Sequence, residues 1–161
     1  MLDLESLSTI DFSVAGQRAF VTGGSRGIGF AVGAALKKFG ADVVLGDQNA
    51  DIGHAAAARI GARFVEVDVR SDSSVREAVS WAAGKEGVLD IAVNCAGVAR
   101  DHNGQPIGPA EDVSDQTWDT LHALNMTGVF RCSREEGQLM LRRGRGAIVV
   151  DLKKQSCSSR S

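Results

Sequence analysis

A glycine-rich turn does most to constrain what this chain can fold into. Residues 22–29 read Thr22-Gly23-Gly24-Ser25-Arg26-Gly27-Ile28-Gly29, directly after the apolar run QRAFVT at 17–22 and at the start of an apolar-periodic segment, 27–39. Glycines at 23, 27 and 29 permit positive φ in a tight turn, let the backbone approach a ligand closely and let a helix pack hard on a strand. A helix that opens at Gly27 turns unpaired N–H groups and the positive end of its dipole toward whatever lies beyond the turn. Strand, glycine turn and helix in that order specify a βαβ unit.

The rest of the chain repeats the alternation. Beside the strand at 17–22, apolar runs at 42–46, 63–67, 88–93 and 146–150 read as strands. Helical periodicity covers 27–39, with Ile28, Ala31, Val32, Ala35, Leu36 and Phe39 as its apolar positions and Gly40 as its stop. It also covers 50–60, 72–84 (stripe Val75, Ala78, Val79, Ala82) and a long helix over 114–142, capped by Ser114 and punctuated by Gly128. A loop with Gly104, Pro106, Gly108 and Pro109 precedes the long helix. The expectation is an α/β, Rossmann-type doubly wound parallel sheet at 16–150. A leader is expected over 1–15 and a polar, disordered tail over 151–161.

Composition narrows the function classes. With 161 residues, 43% hydrophobic and 24% charged, the chain suits one domain with a buried core. A net charge of −2 gives no reason to expect nucleic-acid binding. No apolar run reaches the roughly 20 residues of a membrane span. Cys95, Cys132 and Cys157 are odd in number and lack metal-ligand spacing, which points to free thiols in the reducing cytoplasm.

Asp47 gives the glycine turn a ligand. It closes the second strand, 20 residues after Gly27, where a carboxylate accepts hydrogen bonds from the ribose hydroxyls of an adenine dinucleotide. The same charge repels a 2′-phosphate, so NAD is expected over NADP. Arg26 pulls the other way, because a guanidinium pairs with that phosphate. Ser25, Arg26 and Ile28 join Gly23, Gly27 and Gly29 as the cofactor-binding turn.

TGGSRGIG resembles the TGxxxGxG turn of the classical short-chain dehydrogenase/reductase family. Asp68-Val69, Asn94-Cys95-Ala96-Gly97, Asn125 in LNMTGVF and the strand in GRGAIVV resemble that family's later motifs, with Cys95 standing where the family has Asn. The likeness runs from about 16 to 150. Around CSREEGQLMLRRGRGAIVV it is nearest the polyol and sugar dehydrogenase branch. It implies hydride exchange between NAD(P) and an alcohol or ketone. It further implies that Asp68, with Val69, meets the adenine, that Asn94, Ala96 and Gly97 line the cofactor, and that Asn125 holds a water in a proton relay.

The likeness stops where proton transfer would be done. The family uses a Tyr hydroxyl with a Lys four residues later, since a phenol with pKa about 10 needs a nearby cation to exchange protons at neutral pH. This sequence contains no Tyr. Asp151-Leu152-Lys153-Lys154 stands near the expected catalytic Ser. Asn125 is the one member of the family's catalytic set with a counterpart here. The expectation is a C-terminally truncated chain with an aberrant tail, from a frameshift or retained intron. Such a chain would be inactive in turnover but able to bind a dinucleotide. The open sheet edge argues for aggregation, and the 114–142 helix could pair with a second copy or an intact paralogue. His54, His102 and His122 are expected as surface or loop residues, and Trp118 and Leu121 as packing residues. Glu135-Glu136 and Arg142-Arg143-Arg145 are expected on a solvated face, and Cys95 as a structural residue beneath the cofactor.

Overall fold

A computed structural model describes residues 13–101 and 103–151. Five parallel strands form one sheet: β1 (Arg18–Thr22), β2 (Asp42–Asp47), β3 (Arg63–Glu66), β4 (Ile91–Asn94) and β5 (Ala147–Val150), in the order β3-β2-β1-β4-β5. The order reverses direction at β1, between β2 and β4, and this is where a doubly wound sheet opens a crevice at its carboxyl edge. Register fixes that edge: Thr22 pairs with Gly46 on one side and Asn94 on the other, and Asn94 pairs with Val150.

Among the described residues, five α-helices connect the strands: α1 (Gly27–Lys38), α2 (Ala50–Ile60), α3 (Asp72–Ala83), α4 (Asp115–His122) and α5 (Val129–Arg143). Their starts follow local chemistry. Asn49 accepts from the Ile52 N–H, Ser71 from Ser74 and Ser114 from Thr117, each satisfying an orphan donor of the first turn. Two apolar layers sandwich the sheet. Phe20, Val44, Ala92 and Leu89 pack with Val75, Ala78, Val79, Ala82, Cys132 and Met140 from α3 and α5. Val21, Val43, Leu45 and Val93 pack with Ala56, Ala57 and Phe64, with Phe30, Val32 and Leu36 from α1 against them. The predicted α3 stripe is buried throughout.

Four expectations need correction. The helix α1 seats only part of its apolar stripe: Val32 and Leu36 pack on the core, while Ile28, Ala31, Ala35 and Phe39 are exposed and Gly29 and Gly33 are buried. A Cβ on Gly33 would meet the Leu45 side chain at 2.6 Å, so the helix sits on the sheet through its glycines. The fourth strand starts at Ile91 rather than Val88, because Gly84 and Gly87 at positive φ fold 84–90 into a connection. The long helix is three pieces, with a π-helical segment over Ala123–Gly128 between α4 and α5. Trp118 is 60% exposed and does not pack inward. Residues 1–12, His102 and 152–161, with most of the expected leader and tail, lie outside the described residues; Val14 and Gly16 hydrogen-bond to Phe39 and Gly40.

Candidate functional site

The glycine turn sits at the crevice because its glycines leave no alternative packing. Gly23 has φ +65°, and a Cβ there would lie 2.7 Å from the Cys95 carbonyl oxygen and 2.8 Å from the Ala96 backbone. A Cβ on Gly29 would run into the Gly23 carbonyl oxygen. The turn thus lies directly against the segment that follows β4. Arg26, the residue before α1, contributes no side-chain cap, and the first turn of α1 has no acidic residue. The N–H end of α1 therefore faces the crevice with no carboxylate in its own first turn to compensate its dipole.

A cavity of about 240 Å³ occupies this position. Gly23, Arg26, Gly27, Ile28 and Gly29 form one wall; Asp47, Asp68 and Val69 form another; Ala96 and Gly97 form a third. Ser25, Asn94 and Asn125 do not line it but hold residues that do. Ser25 donates to Asp47 Oδ2 from its hydroxyl and also from its N–H (3.3 Å), tying the end of β2 to the glycine turn. Asn125 grips Val98 from both sides: Nδ2 donates to the Val98 carbonyl at 2.8 Å and Oδ1 accepts from the Val98 N–H at 2.9 Å. The π-helical turn places that side chain against the loop after β4. Both ends of the Asn125 amide are thereby engaged by the chain itself.

The Asp68 carboxylate is oriented by Arg70, whose Nε and guanidinium nitrogen Nη2 reach its two oxygens at 2.9 and 2.8 Å. That contact holds Asp68 below the usual carboxylate range against a smaller opposing effect of burial. Arg131 of α5 donates to the Arg70 carbonyl at 2.7 Å, so the helix that follows Asn125 also braces the loop after β3.

Beneath the cavity floor runs a buried polar chain. Thr22 Oγ1 accepts from the Ala96 N–H at 3.4 Å and donates to Asn94 Oδ1 at 3.1 Å. Asn94 Nδ2 donates to Glu136 Oε2 at 2.8 Å. Glu136 has 0% of its surface exposed, which corrects the expectation of a solvated Glu135-Glu136 face. Burial pushes its pKa up to about 7, against the opposing hydrogen bond from Asn94. Arg143 is likewise not free, since it pairs with Asp90 at 3.0 Å.

Sequence reasoning missed Gln48, Val67, Val98, Leu124 and, as a cavity residue rather than only a structural one, Cys95. Gln48 and Val98 are adjacent to motifs that were read. Leu124 carries no local signal, because only the π-helical register turns it inward.

The residues fit a dinucleotide. The crevice has a helix N-terminus without a side-chain cap, a wall that glycine alone can form and a carboxylate at the end of β2. A sequence model of the family described as short chain dehydrogenase matches residues 17–151. The chain is 39% identical over 155 residues to D-threitol dehydrogenase of Mycolicibacterium smegmatis, covering 92% of this chain and 57% of that protein. It is 35% identical over 143 residues to gluconate 5-dehydrogenase of Gluconobacter oxydans, covering 86% and 54%. A solved short-chain type dehydrogenase/reductase from Mycobacterium ulcerans superposes with a TM-score of 0.80 at 27% identity, over 86% of this chain and 52% of that one. The chain spans about half the length of the curated relatives it matches. No helix among the described residues is long and apolar enough to cross a membrane.

Proposed function

The chain belongs to the short-chain dehydrogenase family, and we propose that it is the dinucleotide-binding part of an oxidoreductase that prefers NAD to NADP. The family uses nicotinamide dinucleotides for hydride exchange with alcohols and ketones, and relatives acting on polyols and sugar acids suggest a polyol or sugar as the substrate of the whole protein. One observation carries the preference for NAD: Asp47 lines the cavity at the end of β2, with Ser25 holding its Oδ2. Its carboxylate accepts from ribose hydroxyls and repels a phosphate on the same ribose. The turn and the N-terminus of α1 receive the pyrophosphate, Asp68 the adenine edge, and Ala96 and Gly97 the far wall. Asn125 keeps the Val98 peptide in place beside them.

The bound dinucleotide would supply the hydride, but this sequence supplies no Tyr for the accompanying proton. The chain as it stands binds without turnover. Incubation with NADH and a panel of carbonyl compounds should leave the 340 nm absorbance unchanged; sustained oxidation would overturn the non-catalytic reading.

A second reading has its own observation. On α4, the π-helical turn and α5, Trp118, Met126, Phe130 and Leu141 are exposed, Phe130 by 61% and Leu141 by 81%. Apolar exposure on this scale suits pairing with another copy or an intact relative. Co-purification with a full-length relative tests it; clean separation in size-exclusion chromatography would refute it.

A further inference from the structure

Glu136 carries a buried carboxyl for which the dinucleotide reading has no use. A carboxylate fully removed from water is costly unless its oxygens are paired. Here Oε2 accepts from Asn94 at 2.8 Å, while Oε1 has no partner among the described residues. An apolar residue would fill the position at lower cost. The hydrogen bond to Asn94 is what an apolar residue could not make, and Asn94 stands at the carboxyl edge of β4.

We propose that Glu136 is a positioning residue for the dinucleotide crevice, acting through Asn94 and Thr22 on the Ala96 peptide, and that its proton occupancy sets how firmly that peptide is held. The relay is continuous: Glu136 Oε2, Asn94 Nδ2 and Oδ1, Thr22 Oγ1, Ala96 N–H. Ala96 lines the cavity and lies against Gly23, so its peptide forms part of the wall that the glycine turn faces. A charged acceptor shortens and strengthens the bond at the head of the relay, and polarises the bonds that follow. Ionised Glu136 therefore holds the wall tightly, and protonated Glu136 holds it loosely.

The groups that face Glu136 come from α5, α3 and the three neighbouring strands. Cys132, one turn earlier on α5, is pushed up to about 12 by burial and by Glu136 itself, so it stays neutral. Arg134 and Glu135 pair with each other, Arg134 also with Asp72 of α3, and Arg76 of α3 with Asp72 at 2.6 Å and Glu135 at 3.9 Å. The buried residues of α3 in this layer are Val75, Ala78, Val79, Ala82 and Ala83. From β4 and β1 come Asn94 and Thr22, and β5 pairs Ile148 and Val150 with Ala92 and Asn94. Beyond β5, Asp151 donates its N–H to the Asn94 carbonyl at 3.0 Å and is a second carboxylate in this neighbourhood.

Nuclear magnetic resonance of the full chain tests the relay without any ligand. The Asn94 side-chain amide and the Ala96 backbone amide should titrate together with a midpoint near 7. In Glu136→Gln both should be flat from pH 5.5 to 8.5. In Thr22→Val the Asn94 side chain should still titrate while Ala96 no longer does. Absence of the wild-type titration, or its persistence at Ala96 in Thr22→Val, would overturn the proposal even if Glu136→Gln failed to fold. The proposal rests on the dinucleotide reading for its purpose, which calorimetry with NAD tests separately. Affinity should tighten roughly fivefold between pH 6 and 8, the low end of typical couplings between sites, and be pH-independent in Glu136→Gln. A flat wild-type affinity would overturn the positioning role. Absence of NAD binding at every pH would overturn the dinucleotide reading instead, leaving the amide titrations to decide the relay.

Discussion

At Gly29 a single missing methyl group decides whether the crevice exists. A Cβ would strike the Gly23 carbonyl, which is backbone and cannot rotate away. Gly29→Ala should raise the dissociation constant for NAD at least tenfold and cost about 2 kcal/mol of stability, as overpacking does; calorimetry and urea melts measure both. Glu136 fixes the pH behaviour. Its folded pKa of about 7 lies above the ordinary value of 4.5, so the folded state binds the extra proton. The stability linked to that proton is fully present below pH 4.5 and is lost as pH rises through 7. The loss is about 3 to 4 kcal/mol, at roughly 1.4 kcal/mol per pKa unit. Asp90 runs the opposite way. Burial alone would raise its pKa, but the Arg18 N–H together with Arg143 and Arg145 hold it low, so its contribution is lost in acid. Thermal melts from pH 5 to 9 should fall as pH rises from 5 to about 7 and level off above that in the wild type, and Glu136→Gln should lack that fall. The glycines and Asp47 were legible in the sequence because few residue types can stand at those positions. Glu136 was not, because a charged residue on an amphipathic helix defaults to solvent and nothing local announces Asn94 as its partner.

Among the elements, the broken long helix matters most. Periodicity shows a continuous helix through 114–142, since a π-helical turn preserves apolar character while shifting its phase. That shift puts Asn125 against Val98 and Leu124 into the cavity. Asn125→Ala removes both bonds to the Val98 backbone. Hydrogen exchange at the Val98 amide should then accelerate at least tenfold, with NAD affinity weakened and the sheet amides of β1 and β2 unchanged; equal acceleration throughout would mean global destabilisation instead. The helix α1 teaches the same lesson from packing. Its apolar positions were plain, but beside Val32 and Leu36 the face that touches the sheet is made of Gly29 and Gly33, which carry no hydrophobic signal. A helix that sits down on glycines leaves its larger residues on the flank. The stripe of α3 was read correctly because it packs through ordinary side chains, Val75, Ala78, Val79 and Ala82.

For the whole molecule, strand order and the alternation of elements follow from spacing and handedness, so the sheet and the position of its crevice were accessible from sequence. Surface exposure was not, because it depends on what covers each face. All four residues of β5 are exposed, and Ile148, Val149 and Val150 add to the apolar surface of α5. Sedimentation velocity should therefore show concentration-dependent association, reduced by Phe130→Ser with Leu141→Ser; a sharp monomer for the wild type at all concentrations would contradict this. The central claim concerns the crevice, and parallel calorimetric titrations of the chain with NAD and NADP test it most directly. The account predicts saturable one-to-one binding of NAD, weaker binding of NADP, and loss of that difference in Asp47→Ala. Failure of a folded chain to bind either dinucleotide, or equal binding of both by the wild type, would contradict it.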